Sequence, residues 1–232
     1  MSSLADIPVA ILCGGLGTRL GSLTQELPKA LIEVHGRPFL EHQLGILAKA
    51  GFKRVVLCVS HLGVYLSDRM GQSSFGMTLE YSFDVNDALW GLQCMRGTAG
   101  AIRKARDLFG DACFVLYGDS YMPCDYAEIY RKFTLNPCEV VRCVTSTKTH
   151  PKLHDYGVYV MTARALACLP PEGDLSHVLN WWRPGIVRDL LLEDPYYEIG
   201  TPEALRATRE WFARGALRDG VSHRVSEVSD RS

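Results

Sequence analysis

The apolar positions of this chain alternate between two periods. Val9 to Leu12 and Val55 to Ser60 are short continuous runs of the kind that form buried parallel strands. Met77 to Phe83 also reads as a strand, and Ala112 to Tyr117 is the most strand-like run of the second half. Between them stand segments of helical spacing. Phe39 to Ala50 places Leu40, Leu44 and Leu47 on one face, with Gly51 where a C-terminal cap belongs. His61 to Met70, Gly97 to Phe109 with Thr98 as its cap, and Tyr126 to Phe133 read as further helices. The order strand, helix, strand predicts right-handed crossovers, a parallel sheet and an α/β class.

The remaining stretches are less regular. Ala30 to Val34 reads as a short strand, His35 to Pro38 as a turn and Gly71 to Gly76 as a loop. Glu139 to Val144 and Asp155 to Met161 read as strands, and Leu175 to Leu192 as a helix or strand pair. Thr201 as N-cap, Pro202 at the first helical position and Glu203 in the first turn open a helix to about Ala216. A single domain over 1–217 is expected, with residues 218–232 as a polar, mobile tail. Asp84 to Arg96 has no clear periodicity: it is either a surface insertion packing Leu89 and Trp90 locally or an extended loop at a binding site.

Composition narrows the class. A chain of 232 residues suffices for one large α/β domain, which buries roughly 70–75% of its unfolded surface. With 47% hydrophobic and 22% charged residues it has the make-up of an ordinary globular protein. No apolar run approaches the roughly 20 residues that span a bilayer. The start, Met1 to Asp6, lacks the basic and apolar regions of a secretion signal, so a cytoplasmic location without membrane insertion is expected. The 8 cysteines are scattered without a C-x-x-C pair, and read as free thiols rather than a disulfide framework or a zinc site. A net charge of −1 argues against a nucleic-acid surface.

Candidate chemistry begins where the first strand ends. Leu12-Cys13-Gly14-Gly15-Leu16-Gly17-Thr18-Arg19-Leu20 holds three glycines within four positions. Lacking Cβ atoms, they let the backbone turn sharply and bring N–H groups close to an anion. Arg19 supplies a planar charged fork for phosphate oxygens, and Lys29 a compact second cation behind Pro28. A P-loop would need Gly-Lys-Ser or Gly-Lys-Thr where Thr18-Arg19-Leu20 stands. The dinucleotide fingerprint would need glycine at position 20 and an acid at the end of the second strand, where Leu20 and Ser60-His61-Leu62 stand. Further along, Ala112 to Tyr117 ends in Gly118-Asp119-Ser120, a carboxylate at the carboxyl end of a central strand, which is where open α/β sheets bind ligands. Asp119 offers hard oxygen ligands to a divalent cation; a strand-terminating turn is the plainer alternative.

Gly14, Gly15, Gly17, Thr18, Arg19, Leu20, Leu23, Thr24, Pro28 and Lys29 together resemble the signature of the sugar-1-phosphate nucleotidylyltransferases, or sugar nucleotide pyrophosphorylases. One departure is visible, with Gly21-Ser22 in place of the usual Arg-Pro. The resemblance implies a Rossmann-like three-layer α/β/α nucleotidyltransferase fold with a mostly parallel mixed sheet. It implies that Leu12, Gly14, Gly15, Gly17, Thr18 and Arg19 bind the nucleotide and that Lys29 faces phosphate. Gly97-Thr98-Ala99-Gly100-Ala101 resembles the family's G-T-A-G-A, which places Gly97 and Thr98 at the nucleotide and Gly100 at the sugar. Gly118-Asp119-Ser120 resembles its metal motif, with Gly118 at the nucleotide and Asp119 on Mg2+.

Asp155, Tyr156 and Gly157 are similar to the family's segment near the sugar. Glu198-Ile199-Gly200-Thr201-Pro202-Glu203 resembles D-x-G-T-P-E, whose first acid is the second metal ligand, so Glu198 joins Asp119 with one more methylene than aspartate. Between Thr134 and Pro151 the chain is shorter than the family's, and the lysine that grips the sugar phosphate there is matched only by Lys148 or Lys152.

The implied reaction joins a sugar 1-phosphate to a nucleoside triphosphate, giving a nucleoside diphosphate sugar and pyrophosphate, with Arg19, Lys29 and Asp119 as the catalytic set. Gly36-Arg37-Pro38-Phe39-Leu40 and Val55 to Ser60 resemble the heptose 1-phosphate guanylyltransferases, which implies a GDP-heptose-like product for surface polysaccharide or lipopolysaccharide precursors. Uridylyl, thymidylyl and cytidylyl transfer stay open, as does a homo-oligomeric state. A catalytically impaired, sugar-nucleotide-binding regulatory subunit is the alternative. The Glu198 and Gly21-Ser22 changes, the short middle segment and the long stretch from Asp84 to Arg96 each favour it slightly.

Overall fold

The computed structural model describes residues 3–60, 62–84, 96–146, 153–183, 185–214 and 225–228. In chain order its strands are β1 (Val9–Leu12), β2 (Glu33–Val34), β3 (Arg37–Pro38), β4 (Arg54–Val59), β5 (Ser73–Ser74), β6 (Met77–Phe83), β7 (Ala112–Tyr117), β8 (Ser120–Tyr121), β9 (Val140–Thr145), β10 (His154–Thr162), β11 (Val187–Leu192), β12 (Tyr197–Glu198) and β13 (Val225–Glu227). The helices are α1 (Phe39–Ala50), α2 (Gly63–Met70), α3 (Gly97–Ala105), α4 (Tyr126–Leu135), α5 (Ala163–Cys168), α6 (Leu175–Asn180) and α7 (Pro202–Ala213).

The large sheet runs β13-β11-β9-β10-β7-β1-β4-β6-β5. β1 lies between β4 and β7 and is parallel to both, β6 continues parallel to β4, and β11 is parallel to β9. β10 runs antiparallel between β7 and β9, which makes the sheet mixed and mostly parallel, as the resemblance implied.

Side-chain alternation along each strand divides the core into two layers. Val9, Ile11, Val55, Leu57, Val59, Phe114 and Leu116 pack against Leu40, Leu44 and Leu47 of α1, Leu66 of α2 and Ile129 of α4. Ala10, Val56, Cys58, Cys113, Val115, Tyr159 and Met161 pack on the other face against Ile102 of α3, Leu166 of α5 and Leu175 of α6. Helices on both faces give the three-layer α/β/α arrangement. Leu44, fully buried, contributes about 1.5–3 kcal/mol by leaving water. Among the described residues no helix is long and apolar enough to cross a membrane.

Local departures have local causes. The strand expected from Ala30 to Val34 is reduced to β2, because Lys29–Leu31 form a 3-10 turn closed by the Leu31 N–H on the Pro28 carbonyl at 2.8 Å. That turn buries Ala30 and Leu31 and leaves Lys29 at the edge of a cleft. α3 gives way after Ala105 to a 3-10 turn, Arg106–Leu108. α7 ends at Ala213 rather than near Ala216. Within the span expected to be a mobile tail, β13 forms the sheet edge, antiparallel to β11. The expectations for Leu89, Trp90, Lys148 and Lys152 fall outside the described residues.

Candidate active site

A cavity of about 630 Å³ opens at the carboxyl ends of β1 and β7. There the chain leaves β1 for β4 on one side and later returns from β6 to β7 on the other, a switch of the kind at which open α/β sheets bind ligands. Leu12, Gly14, Gly15, Gly17, Thr18 and Arg19 line one wall, and Lys29, Gly118, Asp119 and Glu198 another. Gly97, Thr98, Asp155, Tyr156 and Gly157 line it as well.

Close backbone approach shapes the glycine wall. The Gly118 N–H donates to the Leu12 carbonyl at 3.0 Å, and a Cβ on Gly118 would stand 2.6 Å from that oxygen. The two strand ends meet this closely only because no side chain intervenes. A Cβ on Gly14 would lie 2.7 Å from Ser60 Oγ, whose hydroxyl donates to the Gly14 carbonyl. Gly17 takes φ +64°, a left-handed conformation that starts the 3-10 turn over Thr18–Thr24, and Thr24 Oγ1 donates back to its carbonyl at 2.9 Å.

The acids are brought together by a small two-stranded ribbon. β8 and β12 pair antiparallel with Ser120 opposite Glu198, and the Ile199 N–H donates to the Asp119 carbonyl at 3.0 Å. Thr208 Oγ1 of α7 donates to the Glu198 carbonyl at 2.7 Å and ties the ribbon to that helix. A Cβ on Gly200 would lie 3.4 Å from Arg19 Nη2 and 3.5 Å from Glu198 Oε2, so Gly200 leaves room for guanidinium and carboxylate to approach the same point. Lys29 Nζ stands 2.6 Å from Asp119 Oδ2. Asp119 and Glu198 are hard oxygen donors of the kind that a divalent cation held by one or two protein carboxylates would need. Among the described residues no group of three or more His, Cys, Asp or Glu converges for a fully protein-held metal.

The far wall departs from expectation in detail. Asp155 accepts the Gly157 N–H at Oδ1, 2.8 Å away, and the Tyr159 hydroxyl at Oδ2, while the Tyr159 and Tyr117 hydroxyls lie 3.0 Å apart. Burial pushes the Asp155 carboxyl above its ordinary range, and those two hydrogen bonds and Arg142 oppose the rise. Tyr156 reaches the cavity, yet its hydroxyl donates to the Pro195 carbonyl at 3.2 Å and its buried ring packs on Tyr196 at 5.7 Å.

Thr98 does not cap α3: Arg96 holds that position, and Thr98 Oγ1 instead accepts the Leu175 N–H at 2.7 Å and donates to Asp174 Oδ2 at 3.4 Å. Gly100, expected at the sugar, does not line the cavity. A Cβ there would lie 2.3 Å from the Pro171 carbonyl oxygen, which makes Gly100 a packing glycine between α3 and the 171–173 loop.

Sequence reasoning missed Cys13, Ser60, Asp84, Asp174 and Tyr196, all of which line the cavity. Asp84 ends β6 as Asp119 ends β7, so the signal that found one was present for the other. Its buried carboxylate accepts the Arg96 N–H at 3.0 Å and pairs with Arg96 Nε at 3.1 Å. Asp174, the N-cap of the short α6, reaches the site through a tertiary contact with Thr98 and had no local signal.

A family model described as Nucleotidyl transferase matches residues 9–167, which includes the glycine turn, Lys29, Asp119 and Asp155. The chain is 32% identical over 119 residues to a D-glycero-alpha-D-manno-heptose 1-phosphate guanylyltransferase of Campylobacter jejuni, covering 51% of this chain and 50% of the relative. It is 32% identical over 160 residues to the mannose-1-phosphate guanylyltransferase catalytic subunit beta of Xenopus tropicalis, covering 67% of this chain and 41% of that one. The chain thus spans half or less of these relatives' length. The crystal structure of HddC from Yersinia pseudotuberculosis complexed with GMP-PN superposes with a TM-score of 0.75 at 20% identity, over 89% of this chain and 99% of that one, and shares the fold. With the family model covering the cation-bearing half of the cavity, the chain belongs to the nucleotidyl transferase family.

Proposed function

We propose that this chain is a sugar-1-phosphate nucleotidylyltransferase. The observation that carries the reading is the convergence of Lys29, Asp119 and Glu198 with Arg19 and the glycine turn on one cavity. In the reaction an oxygen of the sugar 1-phosphate attacks the α-phosphorus of a nucleoside triphosphate. A new P–O bond forms, the bond from the α-phosphorus to its bridging oxygen breaks, and pyrophosphate leaves with that electron pair. The nucleophile is already an anion at neutral pH, so no side chain has to remove a proton. The difficulty is bringing two mutually repelling anions together and neutralising the charge that develops.

Each residue meets part of that requirement. Gly14, Gly15 and Gly17 line the cavity, where their backbone N–H groups would donate to phosphate oxygens. Arg19 and Lys29 bring permanent positive charge to the triphosphate. Asp119 and Glu198 would hold Mg2+, which would supply positive charge against the negative charge that develops in the transfer. Thr98, Asp155 and Asp174 offer acceptors for sugar or ribose hydroxyls on the opposite wall. Two of the relatives are guanylyltransferases by name, which supports guanylyl transfer to a heptose or mannose 1-phosphate as the first pair to assay.

The test is pyrophosphate release from GTP, UTP, CTP, dTTP and ATP against heptose, mannose and glucose 1-phosphates, with Mg2+ and with EDTA. Release that needs both substrates and stops with EDTA is expected. Tight nucleotide binding without release under every combination would overturn the enzyme and leave a regulatory sugar-nucleotide-binding subunit.

A further inference from the structure

We infer that Gln43 is a positioning residue for Asp119, acting through the backbone of the turn that carries it. Its catalytic consequence rests on the nucleotidyl-transfer reading above, whereas its structural half stands independently. Gln43 lies on the sheet-facing side of α1 and is 1% exposed. Its Nε2 donates to the Tyr117 carbonyl at 2.8 Å and also to the Ser120 carbonyl. Those carbonyls bracket Gly118 and Asp119. A single side-chain amide therefore closes the turn by which β7 passes into β8.

The other end of the same amide shows what the residue is there for. Gln43 Oε1 is buried and has no hydrogen-bond partner among the described residues. An unpaired buried acceptor is destabilising, and an aliphatic side chain of similar size would fill the space without it. Leucine or methionine would lack the two N–H donors, and those donors are what this position supplies. The turn is held from a second direction, since the Asp119 carbonyl accepts the Ile199 N–H and Ser120 pairs with Glu198. With the carbonyls of Tyr117, Asp119 and Ser120 all occupied, the turn has little freedom. The Asp119 carboxylate, which meets Lys29 at 2.6 Å, keeps a fixed aim. Such a polar exception inside a hydrophobic layer is the kind of local violation that functional sites carry.

The test compares Gln43→Met, which removes the donors at similar length, with Leu47→Val, a packing change on the same helix that leaves the turn untouched. Hydrogen–deuterium exchange is read first, on the full chain without substrate. In Gln43→Met, protection at the Gly118 and Ile199 amides is expected to fall about tenfold while β4 amides keep theirs, and Leu47→Val should show no such selectivity. Pyrophosphate release by Gln43→Met should then lose about 10- to 100-fold in kcat, with the KM for triphosphate changed by less than about threefold.

Should Gln43→Met not fold, Gln43→Glu, which keeps one donor when protonated, carries the same comparison. Protection unchanged, or lost evenly over the sheet, overturns the positioning role. Selective loss of protection with full kcat overturns its part in catalysis. If the wild-type chain releases no pyrophosphate with any substrate pair, the nucleotidyl-transfer reading fails, and the exchange result still decides for or against Gln43 as the clamp of this turn.

Discussion

Lys29 and Asp119, 90 positions apart in the chain, meet with Nζ 2.6 Å from Oδ2 in the lining of the cavity. The ammonium side chain is 11% exposed and the carboxylate 32%, so solvent reaches the pair and screens it. Such a contact adds only about 0–1 kcal/mol to stability. Its value is positional: the ammonium is held at the Asp119 carboxylate inside the cavity that both residues line.

Lys29→Ala should therefore separate activity from stability. Thermal unfolding is expected to move by less than about 1 kcal/mol, while kcat for pyrophosphate release falls by about 10²–10³. Asp119→Asn is expected to lose a similar factor. Near-normal turnover in either variant would remove both residues from the mechanism.

Gly118→Ala tests the close approach of β1 and β7. Its Cβ would press on the Leu12 carbonyl oxygen at 2.6 Å and on Cys13 Sγ at 2.9 Å, and backbone cannot swing aside as a flexible side chain can. A loss of about 1–3 kcal/mol in chemical denaturation is expected. Gly15→Ala, with nothing within 4 Å of the new methyl, should stay within about 0.5 kcal/mol of wild type. Equal losses in the two would contradict the packing described.

Native-state thiol labelling should be selective. Cys168 is exposed, whereas Cys13, Cys58, Cys113, Cys124 and Cys143 are buried. Burial pushes the Cys58 thiol up to about 12, so raising the pH to about 9 leaves it protonated and unreactive. Mass spectrometry after brief alkylation is expected to find Cys168 modified and Cys58 untouched at pH about 7 and at pH about 9. Labelling of Cys58 in the folded protein would place it outside the core.

Asp155 sets a pH signature. Burial raises its carboxyl in the folded state, so the folded chain holds that proton more tightly than the unfolded one. The resulting stabilisation is complete below the unfolded value of about 3.9 and is lost as pH rises through the raised folded value. The stability of wild type relative to Asp155→Asn, measured by urea denaturation, should fall as pH climbs from about 3.5 towards neutrality. A flat or rising difference would show the carboxyl to be ionised and well solvated.

Much of this fold was legible because the evidence for it is local. Val9–Leu12 and Ala112–Tyr117 are continuous apolar runs, Met77–Phe83 alternates apolar with polar positions, and α1 from Phe39 to Ala50 follows from leucine spacing and the left-handed Gly51 cap. The start of α7 at Thr201 and Pro202 likewise follows from capping chemistry, with the Thr201 side chain accepting the Ala204 N–H at 3.2 Å. The glycine turn, Arg19 and Lys29 stood out for the same reason, since glycines and cations suited to an anion are legible in their own residue types, and all of them line the cavity.

Other features depended on partners far along the chain. Thr98 had the spacing of a cap, but the loop before α6 supplied a better use for its hydroxyl. Gly100 looked like a site glycine, and the structure shows in it a packing role of which its neighbours in sequence bore no sign, because the Pro171 carbonyl leaves no room for a Cβ. Asp174 and Gln43 carried no local mark at all. Residue chemistry and short-range spacing thus determined which elements form and which groups have the chemistry to suit a phosphate. The order of the strands, the meeting of Lys29 with Asp119 and of Ser120 with Glu198, and the clamp from α1 were decided only by tertiary packing, because each depends on backbone approaches between segments that the chain keeps far apart.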